Sequence, residues 1–500
     1  MKGIMIQGTS SDSGKSFIAT AFCRIFSNMG RSVCPFKSQN MSNNSYVTKG
    51  GLEMGRAQGV QAEAARVRAE VFMNPILLKP RRDTSSEIVL MGKVFSAPCD
   101  RSYYRSFATG VGLKALCSSL ARIGRSYEII VAEGAGSPAE INLNQSEIVN
   151  MRVAREAELP VILVTDVDRG GSLASVVGTL ELLGEDRERV KGIIFNKFRG
   201  DLALFTDAVA WTESYTGIKV LGVVPWISGL LIEGEDALSV NWGGWKEDSP
   251  LTVGVVKLPR ISNHTDIEAF RFEPGVSVIE VSSPSAVSRL DALILPGTKS
   301  TITDMKYLEE TGLAEAIKGF SKRGGYIFGI CGGYQMMGHG LFDPNHLDNE
   351  TVTEYAGLGL LPVDTVFMGE KTTKRRRGRI IHPDIARDTE ISGYEIHFGR
   401  TVPAERTEGF RPLFELDGET DGMAGAGIKT AGTYLHNVFH NDVFRGIWLN
   451  KIRESKGVPQ REPFNSENAK ENAYERLASV VSRSIDMKYV INELLGESHE

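Results

Sequence analysis

Short apolar runs alternate with charged, amphipathic stretches along most of the chain. The runs have the length of buried strands, and the stretches between them repeat their apolar positions with a helical period. This alternation is typical of an α/β fold in which helices cover a parallel sheet. In the first half of the chain the strand-like runs are residues 2–7, 128–133, 160–167, 190–196 and 219–225.

A second pattern of the same kind begins at residue 251, with strand-like runs in "LDALILPG" (290–297) and "GGYIFGICGG" (324–333). We therefore predict two Rossmann-like parallel-sheet domains. The polar, Trp- and Gly-rich stretch "VNWGGWKEDSP" (240–250) is interpreted as the linker between them. The predicted domains are residues 1–240, residues 250–445 and a helical C-terminal extension, 446–500.

The composition excludes several classes of protein. A chain of 500 residues, 41% hydrophobic and 24% charged, is globular and has more than one core. The net charge of −5 offers no electrostatic footprint for nucleic acid, and no apolar run approaches the about 18 residues of a membrane span, so we expect neither partner. The five cysteines are odd in number and lack CxxC spacing, which indicates a reducing cytoplasm without a zinc site or a disulfide framework.

The stretch "GTSSDSGKS" (8–16) follows the first apolar run and opens a helical stretch. Backbone N–H groups in such a glycine-rich turn, and the helix N-terminus after it, attract phosphate. The pattern indicates a nucleotide site in which Lys15 reaches the outer phosphates and Ser16 coordinates Mg²⁺. The loop is one residue longer than the usual phosphate loop, and an ordinary strand-to-helix turn is the alternative. The predicted nucleotide-binding residues are Gly8, Thr9, Gly14, Lys15 and Ser16.

The longer loop, together with "EGAGS" (133–137), resembles the dethiobiotin-synthetase-like enzymes, which use ATP to activate carboxylates. The resemblance implies ATP binding and a Mg²⁺ ion held by Ser16 and by Glu133 at the end of a strand. A hard cation that bridges phosphates needs such oxygen ligands. "FNKFRGD" (195–201) resembles the base-recognition loop of that group, which implies that Asn196 contacts adenine. A helix-capping role for Glu133 and a plain turn at Asn196 are the alternatives.

The stretch "GICGGYQ" (329–335) places Cys331 between a buried strand and a helix, with glycines on both sides. A tight turn of this kind projects the thiol, and the helix N-terminus favours its thiolate. We predict that Cys331 is a nucleophile. The backbone N–H groups of Gly332 and of Gly297, in "LPGTKST", are the predicted oxyanion donors. A buried structural cysteine is the alternative.

A cysteine that attacks an amide needs a base. His436, in "GTYLHNVFH", lies about a hundred residues downstream of Cys331, as in the class I glutamine amidotransferases that this part of the chain resembles. His397 and His440 are the competing candidates. The acidic residue that normally stands two positions after the histidine is replaced by Val438, so the third member of the triad is not identified.

A longer series of motifs resembles the cobyrinate amidase family and spans the chain to about residue 445. The motifs are "QGTSSDSGKS", "PFKSQNMSNNS", "EMGRAQ", "EGAGSPAEINL", "TDVDRGGSLAS", "NKFRGD", "LPGTKST", "GICGGYQMMG" and "GYEIHFGRT", in this order. The resemblance implies a P-loop synthetase domain followed by a class I glutamine amidotransferase domain.

The same resemblance implies a reaction in cobalamin biosynthesis. ATP and glutamine would serve to amidate the b, d, e and g carboxylates of adenosylcobyrinic acid a,c-diamide, giving adenosylcobyric acid. The alternative within the family is cobyrinic acid a,c-diamide synthase, which carries acidic residues after its second strand, where this chain has "QNMSNNS".

The two implied domains fit one chemical sequence. A carboxylate is a poor electrophile, but transfer of a γ-phosphoryl group converts it into an acyl phosphate that ammonia attacks. The second domain would release that ammonia from glutamine through a thioester at Cys331. Two rival classes lack one half of this chemistry: a partitioning-type ATPase needs no cysteine nucleophile, and a cobalamin carrier needs no phosphate loop.

Overall fold

The computed structural model describes residues 1–82, 85–99, 105–230, 232, 249–271, 273–349, 351–369, 371–405 and 407–497. The chain forms two compact units. Unit 1 comprises residues 1–48, 52–235 and 467–500, and unit 2 comprises residues 49–51 and 236–466. Residues 240–248 of the predicted linker lie outside the described residues.

Unit 1 begins with twelve described strands. They are β1 (Gly3–Gly8), β2 (Val33–Phe36), β3 (Gln39–Met41), β4 (Ser45–Val47), β5 (Glu53–Gly55), β6 (Ile76–Arg82), β7 (Ser85–Leu90), β8 (Lys93–Cys99), β9 (Ile129–Glu133), β10 (Val161–Asp166), β11 (Val190–Phe198) and β12 (Val220–Pro225). Its α-helices up to that point are α1 (Lys15–Asn28), α2 (Arg56–Ala64), α3 (Leu113–Ser126), α4 (Met151–Glu156), α5 (Ser172–Leu182) and α6 (Thr206–Thr216).

The main sheet of unit 1 is parallel throughout its described strands, in the order β12-β11-β10-β1-β9-β2. β1 lies near the centre and is buried along its whole length. A strand covered on both faces needs apolar side chains on both, which explains the unbroken run "IMI" before the phosphate loop. The prediction of a helix-covered parallel sheet is confirmed for this unit.

A small four-stranded sheet, β3-β6-β7-β8, and the two-stranded ribbon β4-β5 follow β2 in unit 1. The sequence analysis did not predict these elements, because their strands are short and rich in polar residues. Several of these polar side chains are buried together. Lys79 pairs with Glu53 and donates a 2.7 Å hydrogen bond to the hydroxyl of Ser45.

Unit 2 contains thirteen described strands. They are β13 (Leu251–Val256), β14 (Val276–Val281), β15 (Ala292–Leu295), β16 (Tyr326–Ile330), β17 (Gly340–Phe342), β18 (Glu354–Ala356), β19 (Val363–Val366), β20 (Thr372–Ile380), β21 (Glu390–His397), β22 (Arg400–Pro403), β23 (Phe410–Leu416), β24 (Glu419–Gly425) and β25 (Thr430–Thr433). Its α-helices are α7 (Thr265–Arg271), α8 (Pro284–Val287), α9 (Thr301–Glu310), α10 (Leu313–Lys322), α11 (Gly332–Met336) and α12 (Asp442–Ser455).

The large sheet of unit 2 has the order β14-β13-β15-β16-β25-β24-β23-β20-β21. Its first five strands are parallel, as predicted, whereas the last four continue it with antiparallel pairs. The sequence analysis did not predict this antiparallel half. A separate four-stranded sheet, β18-β17-β19-β22, follows α11.

The C-terminal segment packs in unit 1 and consists of α13 (Ser466–Ser484), α14 (Met487–Tyr489) and a π-helical turn, Val490–Leu494. Leu477 and Val481 of α13 are buried in the same apolar cluster as Phe22 of α1. The buried guanidinium of Arg24 binds Glu471 at 2.9 Å. The predicted domain boundaries, at residues 1–240, 250–445 and 446–500, remain a prediction.

A buried ion pair joins the end of unit 2 to its first half. Arg445 of α12 is fully buried and donates to Glu273 at 2.9 Å, and it also donates to the backbone carbonyls of Phe439 and Phe464. Asp442 lies 2.9 Å from the same guanidinium. These contacts satisfy a charge that burial would otherwise strongly disfavour.

Glu273→Gln should therefore destabilise the protein, because it leaves Arg445 buried with only Asp442 as a counter-charge. We expect a loss of about 3 kcal/mol in the free energy of unfolding in urea. The matched control is Glu280→Gln, which breaks an exposed ion pair with Lys257 and should cost less than about 1 kcal/mol. Equal losses in the two variants would contradict a stabilising role for the buried pair.

Candidate active sites

The predicted phosphate loop connects β1 to α1 in unit 1. Gly8 ends β1, and α1 begins at Lys15. Gly14 has a φ of 95° and Asp12 a φ of 57°, so the loop turns through the left-handed region twice. A methyl group at Gly8 would collide with the hydroxyl of Ser13, and one at Gly14 would collide with the amide of Asn196. The extra residue is thus accommodated in a compact loop at the N-terminus of a helix, which is a suitable place for phosphate.

Lys15 folds back over this loop. Its ammonium group donates to the backbone carbonyl of Ser10 at 2.9 Å and to that of Gly136 at 3.0 Å. Thr9 is tied to the neighbouring strand β10, since its backbone N–H donates to Val164 and its hydroxyl lies 3.1 Å from that of Thr165. Lys15 therefore stands between the phosphate loop and the loop that follows β9.

Glu133, the last residue of β9, is the centre of a buried polar cluster. It accepts hydrogen bonds from Ser16 at 2.8 Å, from Lys37 at 3.0 Å and from Gln61 at 2.5 Å. Lys37 follows β2 and Gln61 lies on α2. The sequence analysis named Ser16 and Glu133 but missed Lys37 and Gln61. Lys37 lies within the motif "PFKSQN", and Gln61 follows the motif "EMGRAQ" by three positions.

The donor set around Glu133 fits a magnesium ion. The carboxylate and the Ser16 hydroxyl are hard oxygen ligands 2.8 Å apart. Mg²⁺ is typically held by one or two carboxylates, with phosphates and waters completing the octahedron. Among the residues that the structure describes, no group of three or more His, Cys, Asp or Glu side chains could hold a metal. The two oxygen ligands at Ser16 and Glu133 therefore fit a metal whose other ligands are phosphates and waters.

Asn196, near the end of β11, contacts the phosphate loop. Its amide nitrogen donates to the backbone carbonyl of Ser13 at 3.0 Å. The next residue, Lys197, has a φ of 59° and binds the carbonyl of Asp12 at 2.5 Å and the carboxylate of Asp166 at 2.8 Å. The end of β11 thus stabilises the phosphate loop by hydrogen bonds to its backbone. The sequence alone did not predict these contacts.

Cys331 lies between β16 and α11 in unit 2, as the sequence predicts. Its φ of 52° and ψ of −110° are uncommon for a residue with a side chain, and its backbone N–H donates to Thr433 at 2.8 Å. Methyl groups at Gly329 or Gly333 would collide with neighbouring backbone atoms. The glycines therefore permit the close packing that holds the thiol on a strained turn.

The two predicted oxyanion glycines lie beside this turn. A Cβ atom at Gly332 would stand 3.0 Å from the backbone nitrogen of Thr298. A Cβ atom at Gly297 would stand 3.2 Å from Cε1 of His436. The structure therefore brings Gly297 and Gly332 together with Cys331 and His436, although their donor roles remain a prediction.

His436 follows β25 and is completely buried. Its Nδ1 lies 2.6 Å from Oδ2 of Asp266, and its Nε2 lies 3.3 Å from the side-chain nitrogen of Asn263. Burial alone lowers the pKa of His436, but Asp266 and then Cys331 outweigh burial, through charge and hydrogen bonding, and raise the pKa to about 10. The imidazole is thus in electrostatic contact with both the thiol and a buried carboxylate.

The two competing histidines are engaged elsewhere in unit 2. The His397 ring stacks on Tyr434 with centroids 3.9 Å apart, and its Nε2 lies 3.6 Å from Glu395. The Nε2 of His440 lies 2.8 Å from the backbone carbonyl of Thr265. The geometry therefore favours His436 as the partner of Cys331.

Asp266 is the acidic partner that the sequence analysis did not find. It lies on α7, 170 residues before His436, and not at the position of Val438. Its second oxygen accepts the backbone N–H of Asn437 at 2.7 Å. A signal was present, because "SNHTDIEAF" follows the strand β13, and the carboxyl ends of parallel strands meet at the same edge of a sheet.

Two protein-family models match the chain, one in each half. Residues 4–238 match the CobQ/CobB/MinD/ParA nucleotide binding domain, and residues 252–444 match the CobB/CobQ-like glutamine amidotransferase domain. The cobyric acid synthase of Anoxybacillus flavithermus (strain DSM 21510 / WK1) is 47% identical over 99% of this chain and 98% of that protein. The chain belongs to the cobyric acid synthase family.

A second member of the cobyric acid synthase family, from Geobacillus sp. (strain WCH70), is 46% identical over 96% of this chain and 95% of that protein. A solved glutamine amidotransferase covers 41% of this chain and 99% of its own at 18% identity, with a TM-score of 0.31.

Membership of the cobyric acid synthase family confirms the main functional prediction. The protein is a glutamine-dependent, ATP-using amide synthase of cobalamin biosynthesis. The comparisons support cobyric acid synthase over the alternative, cobyrinic acid a,c-diamide synthase. Along the described part of the chain, no helix is both long enough and apolar enough to cross a membrane.

The contact between Asp266 and His436 leads to a sharp prediction for this member of the cobyric acid synthase family. Asp266→Asn should lower kcat for glutamine hydrolysis about 10³–10⁴-fold, because the amide favours the wrong tautomer of the imidazole and removes the charge that stabilises its protonated form. The measurement is glutamate release at saturating glutamine.

The matched control is Asp291→Asn, which alters an aspartate that pairs with Lys456 in the same unit and should retain kcat. Amide synthesis from free ammonia should survive in both variants. A kcat for Asp266→Asn within tenfold of the wild type would remove Asp266 from the mechanism.

Proposed function

We propose that this enzyme amidates the b, d, e and g carboxylates of adenosylcobyrinic acid a,c-diamide to give adenosylcobyric acid. The observation that carries the proposal is the presence of two chemically distinct centres in one chain. Unit 1 holds a phosphate loop with Glu133 at its side, and unit 2 holds Cys331 with His436 and Asp266. The names of the full-length relatives support the same product.

In unit 1 the proposed step is activation of a substrate carboxylate by ATP. The loop N–H groups and Lys15 bind the phosphates and offset the negative charge that develops during phosphoryl transfer. Ser16 and Glu133 would hold Mg²⁺, which would neutralise part of the phosphate charge when bound. The substrate oxygen takes the γ-phosphoryl group, ADP leaves, and the product is an acyl phosphate.

In unit 2 the proposed step is release of ammonia from glutamine. His436 takes the thiol proton of Cys331 on Nε2, while Asp266 accepts the hydrogen bond from Nδ1 and stabilises the imidazolium. The sulfur attacks the glutamine amide carbon, and the backbone N–H groups of Gly332 and Gly297 stabilise the oxyanion. The imidazolium then gives its proton to the leaving nitrogen, and water hydrolyses the thioester to glutamate.

The two steps meet in the final amidation. Ammonia attacks the acyl phosphate carbon, the carbon–oxygen bond to phosphate breaks, and inorganic phosphate leaves. One carboxamide therefore uses one ATP and one glutamine. The enzyme would act in the cytoplasm on a corrinoid and glutamine. The cysteine usage supports a reducing compartment, and the net charge of −5 offers no footprint for nucleic acid.

The substrate proposal is tested by offering the purified enzyme different corrinoid acids with ATP, Mg²⁺ and glutamine. Adenosylcobyrinic acid a,c-diamide should gain four carboxamides, counted by mass spectrometry, with ADP and phosphate released in equal amounts. Conversion of cobyrinic acid only as far as its a,c-diamide would overturn the proposed substrate and favour the alternative enzyme. Release of AMP and pyrophosphate would contradict the acyl phosphate.

Cys331→Ser should separate the two half-reactions, because a serine hydroxyl has nearly the same shape but is much harder to ionise than a thiol. The variant should lose glutamine-dependent amidation and keep amidation from concentrated ammonium at mildly alkaline pH. Product mass is measured with each nitrogen source. Full activity with glutamine would show that Cys331 is not the nucleophile, and loss of both activities in a folded variant would show that its role is not confined to glutamine hydrolysis.

A further inference from the structure

Asn263 occupies an unusual position beside the catalytic pair of unit 2. It lies between β13 and α7, is buried, and has a φ of 50°. Its backbone carbonyl accepts the N–H of Asp266 at 3.0 Å, and the preceding residue, Ser262, donates to the carbonyl of Gly297 at 2.8 Å. The local packing therefore holds Asn263 in a conformation that few residues other than glycine adopt readily.

The side chain of Asn263 meets the reactive nitrogen of His436. Its amide group lies 3.3 Å from Nε2, while Nδ1 is committed to Asp266 at 2.6 Å. Nε2 is the atom that must receive the thiol proton of Cys331 and pass it to the leaving nitrogen. Asn263 therefore contacts the nitrogen that, in the proposed mechanism, exchanges a proton with Cys331.

A carboxamide is suited to both protonation states of that nitrogen. Its NH₂ group donates to a neutral Nε2, and its oxygen accepts from a protonated Nε2 after a half-turn of the amide. The terminal torsion of asparagine is soft and roughly two-fold, so the two orientations of the amide differ by about a half-turn. Neither state changes the protonation of Asn263 itself.

We propose that Asn263 is a further catalytic residue of the glutamine-hydrolysing centre, whose carboxamide binds Nε2 of His436 in both protonation states. Its oxygen accepts from Nε2–H once the thiol proton is on His436, this hydrogen bond breaks as the proton passes to the leaving ammonia, and its NH₂ group donates to the neutral Nε2 afterwards. The hydrogen bond holds the ring on the line between the thiol and the substrate nitrogen. This inference rests on the proposed roles of Cys331 and His436.

The experiment uses the full-length enzyme and two substitutions. Asn263→Gly removes the carboxamide while glycine tolerates the positive φ, and Asn263→Asp keeps the shape but leaves only acceptor atoms. Asn263→Gly should lower kcat with glutamine about 10- to 100-fold, because a hydrogen bond to a charged group is lost. KM for glutamine should change little, and ammonia-dependent amidation should be retained. The matched control is Asp388→Gly, an exposed residue with a φ of 63°, which should keep full activity.

A second readout distinguishes catalysis from folding. The rate of Cys331 alkylation by iodoacetamide, followed by peptide mass spectrometry, reports the thiolate–imidazolium pair as a function of pH. The titratable groups that face the ring are Asp266, Cys331 and the stacked Tyr394. Asn263→Gly removes an acceptor for Nε2–H and should shift the alkaline limb of the profile to lower pH, whereas Asn263→Asp should shift it to higher pH.

Two outcomes would overturn the inference. One is a kcat for Asn263→Gly within twofold of the wild type, and the other is an alkylation profile that does not move in either variant. If Cys331→Ser also remains active with glutamine, the proposed function of unit 2 fails. If Cys331→Ser is inactive while Asn263→Gly behaves as the wild type, only the role of Asn263 fails.

Discussion

Parallel strands end at a common edge of their sheet, and both proposed reaction centres of this chain are built on that constraint. In unit 1 the edge collects the phosphate loop after β1, Lys37 after β2 and Glu133 at the end of β9. In unit 2 it collects residues that follow β13, β15, β16 and β25. Because backbone pairing sets the separation of neighbouring strands, side chains far apart in the sequence arrive within hydrogen-bonding distance without a long ordering loop.

Each of the two centres contains a buried carboxylate, and the two carboxylates have different kinds of partner. In unit 1 a buried carboxylate, Glu133, is compensated by the ammonium group of Lys37 and by neutral donors. In unit 2 a buried carboxylate, Asp266, instead faces the imidazole of His436 and raises its pKa. Ionised groups persist in a protein interior only when such partners are present. The first arrangement suits an incoming cation and polyphosphate, and the second suits proton transfer from a thiol.

Local patterns allowed the sequence to predict the features that are encoded over a few residues. The glycines around Lys15 and Cys331 mark turns where the backbone has no room for a side chain, and such turns are legible without a structure. Asp266 was not predictable in this way, since its only link to His436 is a contact across 170 positions. The antiparallel half of the unit 2 sheet was also missed. Its strands β20, β21, β23 and β24 are partly exposed and polar, so they lack the continuous apolar runs of the central strands.

The position of the C-terminal helix α13 affects the order in which the two units can complete their folding. Residues 467–500 belong to unit 1, and α13 covers apolar side chains of α1 near the start of the chain. A ribosome releases the N-terminus first, so this face of α1 stays without its cover until residues 467–500 have been made. Unit 1 therefore starts to fold first and is completed last, after all of unit 2 has emerged. For the same reason, an N-terminal fragment ending at the linker would carry an open apolar face, and the two reaction centres cannot be separated by a single cut in the gene without leaving unit 1 incomplete.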